Sequence, residues 1–307
     1  MPAMHNHTLS RSKSLEGIRI LSLALNLPGP AALMRLQAMG AKCVKLEPPA
    51  PAGYESASSA DPMAIYSPVA YRDLQNGVRT ITADLKTEAG QETLHRELAQ
   101  ADVMMTSFRP SALTKLGLGW VKLHGRYPRL CQVAIVGGAG ERADEAGHDL
   151  TYQAERGLIT GLDLPASLYA DMTGALMASE AVLQALLSQR QTGVGVFKEV
   201  ALSDGAAWAA LPRAWGMTLP GTPLGGAHAG YRVYPCLDGR VAVAALEPHF
   251  AKRLAIASNM GESGVFAMHE PTTHLHLRAF FAQRTRAELD QLAADKDIPL
   301  HTLPAIA

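Results

Sequence analysis

The chain has 307 residues, 48% of them hydrophobic and 18% charged, with 28 basic and 28 acidic side chains and a formal net charge of zero. That length suits one large domain or two ordinary ones. The charge balance argues against nucleic acid as a partner, because such binders usually carry a basic excess. No run of about 18 apolar residues is present, so no membrane span is expected. Cys43, Cys131 and Cys236 are odd in number, widely spaced and set in apolar strand-like segments. They read as buried thiols in a reducing, cytoplasmic setting. The first 14 residues, MPAMHNHTLSRSKS, are polar, lack an apolar h-region and read as a disordered tail over 1–14 rather than a signal peptide.

From residue 15 the first half alternates strand and helix signals. Ile18 to Leu25 reads as a strand, Gly29-Pro30 opens a helix through Met39, and Gly40 ends it before a second strand at Ala41–Leu46. The segment 48–64, rich in Pro, Gly, Ala and Ser, reads as a loop. Arg79–Leu85, Asp102–Thr106 and Leu130–Val136 read as strands, with Thr87–Ala99 helical. This rhythm predicts a parallel sheet flanked by helices. Asp171–Leu187 reads as a helix with Met172, Leu176, Leu183 and Leu187 on one stripe and small residues between them that permit close packing. Lys198–Leu202 is strand-like and Ala206–Trp215 helical. Near Leu219-Pro220-Gly221 the character changes. Tyr231–Tyr234 and Val241–Ala245 form a hairpin signal around Asp238-Gly239, and helical stretches follow at about 248–257 and 274–294. The expected organisation is therefore α/β: a large domain over 15–219 with a parallel sheet, and a smaller α+β domain over 220–307.

Three residues carry the chemistry that local patterns suggest: His148, Asp171 and Glu247. An imidazole and two carboxylates can move protons, and each lies where a helix is expected to begin. Each also has a plain capping role. Asp149 after His148 could N-cap a helix through Gly157, Asp is a favoured N-cap at 171, and Glu247 precedes Pro248 at a first helical position. A carboxylate at the positive end of a helix is expected to stay ionised, which suits a base or nucleophile. A dinucleotide reading fails because Leu27-Pro28-Gly29-Pro30 supplies one glycine where the fingerprint needs three, although Glu47 follows the second strand. His274 and His276 are two residues apart, point to different sides of a helix and have no third ligand nearby, so no metal is expected. A serine nucleophile elbow is missing too. Lys86, Arg109 and Lys115 fall at loop or helix-start positions. Clustered, they would bind phosphates; singly, they are solvated charges.

Together these segments resemble the class III CoA-transferase family (CaiB/BaiF), which includes the α-methylacyl-CoA racemases. The carriers are LEGIRIL at 15–21, PGP at 28–30, MGAKCVKLEP at 39–48, DLK at 84–86 and FRP at 108–110. LGLG at 116–119, YPRL at 127–130, Asp171 and RQTG at 190–193 complete them. The match runs from about Leu15 to Pro304. The resemblance implies an acyl-CoA substrate, with coenzyme A as part of that substrate and no tightly bound cofactor. It implies a Rossmann-like large domain and a homodimer of interlocked rings. CoA contacts carried over from the family fall on Leu85, Lys86, Ser107, Phe108, Arg109, Lys115, Gly137 and Gly138, and the catalytic aspartate on Asp171.

Within the family, Gly-His-Asp at 147–149 and Glu-Pro-His-Phe at 247–250 match the racemase pattern. Inverting the carbon next to a thioester needs a base on each face of the planar enolate. Asp171 would serve one face and His148, balanced by Glu247, the other, with a helix-terminal N–H near Asp171 holding the enolate oxygen. In the transferase branch Asp171 would instead be the nucleophile that carries acyl and then CoA. A third expectation is an inactive CoA-binding paralogue. The chain departs from the family in a shorter His148-to-Asp171 interval, in Met172-Thr173-Gly174-Ala175 in place of a glycine-rich stretch, and in Val136 where some transferases have lysine. The basic residue often found after the second strand is also replaced, around Pro48–Gly53. The sequence stops at Ala307, before the family's usual C-terminal segment that returns to the large domain, so a truncated C-terminal return is expected and ring closure is left open.

Overall fold

The computed structural model describes residues 14–50 and 59–306. The tail expected over 1–14 lies outside these apart from Ser14, as do residues 51–58 of the loop expected over 48–64. The chain separates into two compact units, one ending at Ala210 and the other beginning at Leu211. That boundary precedes the change of character at Leu219-Pro220-Gly221.

The first unit is built on six parallel strands: β1 (Arg19–Ser22), β2 (Lys42–Glu47), β3 (Arg79–Thr82), β4 (Val103–Thr106), β5 (Cys131–Val136) and β6 (Phe197–Ala201). Their spatial order is β3-β2-β1-β4-β5-β6. The chain runs outward from β1 to β3 and then returns to β4 on the other side of β1. Strand order reverses there, and the crevice beyond the carboxyl ends of β1 and β4 is where a doubly wound sheet binds ligands. Every residue of β4 and β5 is buried, as expected of strands covered on both faces.

Among the described residues of this unit, nine helices connect the strands: α1 (Pro28–Ala38), α2 (Pro62–Tyr66), α3 (Pro68–Leu74), α4 (Glu88–Leu98), α5 (Pro110–Lys115), α6 (Trp120–Arg126), α7 (Asp149–Glu155), α8 (Tyr169–Thr192) and α9 (Leu202–Ala209). Proline opens α1, α2, α3 and α5, where its missing N–H is harmless. Asp61, Ser67 and Thr87 cap their helices through side-chain oxygens. The loop expected over 48–64 therefore gives way to helix at Pro62, capped by Asp61.

The long helix α8 departs from the expected stripe. Its buried face consists of Gly174, Ala175, Ala178, Ala181, Val182, Ala185 and Leu186, whereas Met172, Leu176 and Leu187 are exposed. Both sets have helical spacing. The small side chains win because they let α8 lie close to α1 and α9, as Arg35 Nε donating to Ser179 Oγ at 3.3 Å illustrates.

A fully buried lysine anchors the turn between β1 and α1. Lys45 Nζ lies 2.7 Å from Glu47 Oε1 and also pairs with Asp61, all three side chains being essentially without solvent. Ser59 and Tyr71 donate to Glu47. Glu47 is thus the partner of an internal cation. Asp61 Oδ1 accepts from the amides of Asn26 and Met63, both at 3.0 Å. Asn26 has a φ of 65°, the left-handed region that a non-glycine residue holds only when its surroundings fix it.

In the second unit α10 (Leu211–Ala214) leads to the hairpin β7 (Tyr231–Cys236) and β8 (Gly239–Ala244), followed by α11 (Pro248–Ala257), α12 (Pro271–Ala282), α13 (Arg286–Lys296) and β9 (Leu300–Pro304). The helix expected over Ala206–Trp215 is split between α9 and α10, and the one expected over 274–294 is broken before Thr285. Thr285 starts α13 with a reciprocal cap, Glu288 accepting from its amide at 2.8 Å. β9, unmarked in the sequence, pairs antiparallel with β8 to complete a three-stranded sheet. His274 Nε2 lies 2.9 Å from the carbonyl of Ala227 and His276 Nε2 lies 2.6 Å from that of Ser258, so the two imidazoles serve separate backbone groups. The three cysteines are free and buried. Burial pushes the Cys43 thiol up to about 12, away from thiolate chemistry. No helix among the described residues is long and apolar enough to cross a membrane.

Candidate active site

A cleft of about 140 Å3 opens at the reversal of strand order in the first unit. Its walls come from the carboxyl ends of three strands. Leu25, Asn26 and Pro28 follow β1; Ser107, Phe108 and Arg109 follow β4; Gly137 follows β5. Ser107 joins the first two, its Oγ accepting from the amide of Leu25 at 3.0 Å. The lysine-centred cluster fixes the other side of the same turn through Asn26. Opposite, the starts of α7 and α8 contribute His148, Tyr152 and Asp171.

The two helix starts are tied to each other. His148 is the N-cap of α7, so the capping residue is His148 and not Asp149. Its amide donates to Thr151 Oγ1 at 3.0 Å and its carbonyl accepts from Thr151 Oγ1 at 2.7 Å, which leaves the imidazole out of the cap. Asp149 instead turns inward, 5% exposed, and its carboxylate accepts from the amide of Asp171 at 3.0 Å and from the side chain of Gln153. Asp171 is the third residue of α8 and not its N-cap, which is Leu168.

This arrangement changes what was expected of Asp171. Burial, followed by the charge of Asp149, raises its carboxyl from 3.8 to about 7. The positive end of the helix favours the anion, but desolvation and a like charge outweigh it. The amide of Asp171 is spent on Asp149, so it does not offer the helix-terminal N–H expected to hold an enolate oxygen.

Six of the eleven residues expected to act on or contact the substrate meet at this cleft: His148, Asp171, Ser107, Phe108, Arg109 and Gly137. Leu85, Lys86, Lys115 and Gly138 do not line it. Lys86 sits in the turn after β3, its amide donating to Asp84 at 3.0 Å. Lys115 and Arg109 both act on Asp144, whose carboxyl is held low chiefly by bonds from Ser111 and secondarily by these two cations. Glu247 belongs to the second unit, where it precedes Pro248 as the N-cap of α11 without a side-chain capping bond. The sequence reading missed Tyr152 and Asn26, and took Asp149 for a helix cap rather than the partner of the Asp171 amide. The available signals were Tyr152 four residues after His148, hence on the same helical face, and glycines at 137 and 147.

An open parallel sheet with an aspartate and a histidine at its switch point defines an α/β protein with a polar ligand cleft. The chain belongs to CoA-transferase family III, which it matches over residues 15–307. It is 34% identical to a probable fatty acyl-CoA transferase of Mycobacterium tuberculosis, over 64% of this chain and 52% of that protein. It is 31% identical to a succinate–glutarate CoA-transferase of Agrobacterium fabrum, over 75% of this chain and 62% of that one. The human alpha-methylacyl-CoA racemase is 28% identical over 91% of this chain and 75% of its own. The chain thus spans between half and two thirds of the length of the two transferases. Among solved structures, a CAIB/BAIF family protein from Brucella suis superposes with a TM-score of 0.74 at 25% identity, covering 94% of this chain and 83% of that one. The Mycobacterium tuberculosis protein Rv3272 gives 0.76 at 24% identity, covering 96% and 86%, a likeness of fold.

Proposed function

We propose that the chain acts on an acyl-CoA by 1,1-proton transfer at the α-carbon, as a 2-methylacyl-CoA racemase does. The observation that supports this most is that His148 and Asp171 line one small cleft, with the Asp171 carboxyl held near neutrality. An acid poised there can both take and return a proton at working pH. In this reading one of the pair removes the α-proton, the electrons pass into the thioester carbonyl, and the other returns a proton to the opposite face. Ser107, Phe108, Arg109 and Gly137 would border the CoA, and Leu85, Lys86, Lys115 and Gly138 its outlying parts. The assignment of Glu247 as the partner of His148, and the interlocked homodimer, are carried by the sequence resemblance. The exposed Met172, Leu176 and Leu187 on α8 are consistent with a covered face in an assembly.

The second reading is CoA transfer between carboxylic acids with Asp171 as nucleophile, favoured by CoA-transferases among the relatives, the two named above included. Incubation with a 2-methylacyl-CoA in deuterated water separates them. Deuterium at the α-carbon supports proton transfer. Its absence, with CoA passing to an added carboxylate and hydroxylamine trapping Asp171, supports the transferase. CoA binding with neither reaction would leave the inactive paralogue.

A further inference from the structure

We propose that Tyr152 is the hydrogen-bond donor for the thioester carbonyl oxygen, a catalytic role that deepens, and rests on, the acyl-CoA reading of this cleft. Either reaction places negative charge on that oxygen, as an enolate or as a tetrahedral adduct, and a fixed donor is the largest aid to such a step. The amide of Asp171, the helix-terminal donor expected for this task, is already bonded to Asp149.

Tyr152 has the position. Its residue is 6% exposed, yet it lines the same cleft as His148 and Asp171. Two glycines make room for the hydroxyl. A Cβ at Gly137 would fall 2.3 Å from Tyr152 Oη, and one at Gly147 would fall 2.5 Å from it. Any side chain at either place would claim the space the hydroxyl fills. Among the described residues this hydroxyl has no hydrogen-bond partner. The hydroxyl is not among the sealed, unpartnered atoms of the interior, so it faces the cleft, where it is free to donate to a ligand. Burial, and then the charge of Asp171, raise the phenol above its ordinary value, so it stays protonated and donates. No proton leaves it in the reaction: the α-proton goes to the base, the electron pair to the oxygen, and Tyr152 only holds that oxygen.

The test is Tyr152→Phe in the full chain, which keeps the ring. With a 2-methylacyl-CoA in deuterated water, kcat for α-exchange is expected to fall about 100-fold with KM changing less than about twofold. The thermal midpoint should stay put. Independently, propionyl-CoA labelled with carbon-13 at the carbonyl is bound and its infrared stretch recorded. The wild type should shift the stretch to lower frequency and Tyr152→Phe should lose that shift. A stretch that is the same in both proteins, or unshifted in the wild type, overturns the proposal. A lost shift in a protein whose wild type exchanges no deuterium supports Tyr152 and sinks the proton-transfer reading. Normal exchange in the variant sinks Tyr152 alone.

Discussion

Replacing Asp171 by asparagine should make the protein more stable at pH 8 while removing its activity. The carboxyl is raised from 3.8 to about 7 by burial and by Asp149. Between those values the native state binds more protons than the unfolded state, so stability falls as pH rises through that window. Above about pH 7 the folded protein carries the whole penalty of a buried anion beside another. About three pH units at 1.36 kcal/mol each sets an upper bound of about 4 kcal/mol, and the partial exposure of the side chain reduces this to about 2–4 kcal/mol. The amide side chain of Asp171→Asn cannot ionise, so that variant is free of the penalty. Urea unfolding of wild type and Asp171→Asn at pH 4.5, 6 and 8 reads the difference, with Trp120 and Trp208 in the same unit as reporters. The gap in favour of the variant should widen from pH 4.5 to pH 8. A gap that does not move with pH, or a variant less stable at pH 8, would refute the electrostatic reasoning.

Three further outcomes follow from the same geometry. Lys45→Met should lower stability by about 3–5 kcal/mol in urea, because Glu47 and Asp61 would be left buried without their cation; a variant as stable as wild type would show that the cluster is not held by charge. Arg109→Ala should weaken CoA binding about tenfold at low salt and less at high salt, as for a cation that meets phosphates at the cleft edge. Calorimetric titration checks it, and unchanged affinity contradicts it. If α8 is covered by a second copy, sedimentation should give a dimer that Leu176→Glu and Leu187→Glu dissociate; a monomeric wild type would count against the assembly.

Most of the sheet is legible in the sequence, because central parallel strands are continuous apolar runs with turn residues between them. Val103–Thr106 and Cys131–Val136 are buried throughout and are hard to mistake. The face of α8 was not legible. Its leucines and its alanines both repeat at helical spacing, and only the close approach of neighbouring helices decides that the alanines go inside. β9 was missed because a strand at the edge of a small sheet needs no apolar run, only a partner, here β8. At the site, Asp171 and His148 stand out as residue types, but their electrostatics do not. Whether an aspartate near a helix start is ionised depends on what lies beside it. Asp149, 22 residues earlier in the chain, is brought to the amide of Asp171 only by the fold.

Isotope exchange tests the two-base reading most directly. Wild type, His148→Ala and Asp171→Asn are each incubated with one enantiomer of a 2-methylacyl-CoA in deuterated water. The wild type should incorporate deuterium at the α-carbon and invert it. Each variant should stop inversion, since inversion needs an acid and a base on opposite faces. A wild type that leaves the α-carbon unlabelled, or a His148→Ala protein that inverts it at the wild-type rate, would contradict proton transfer between His148 and Asp171.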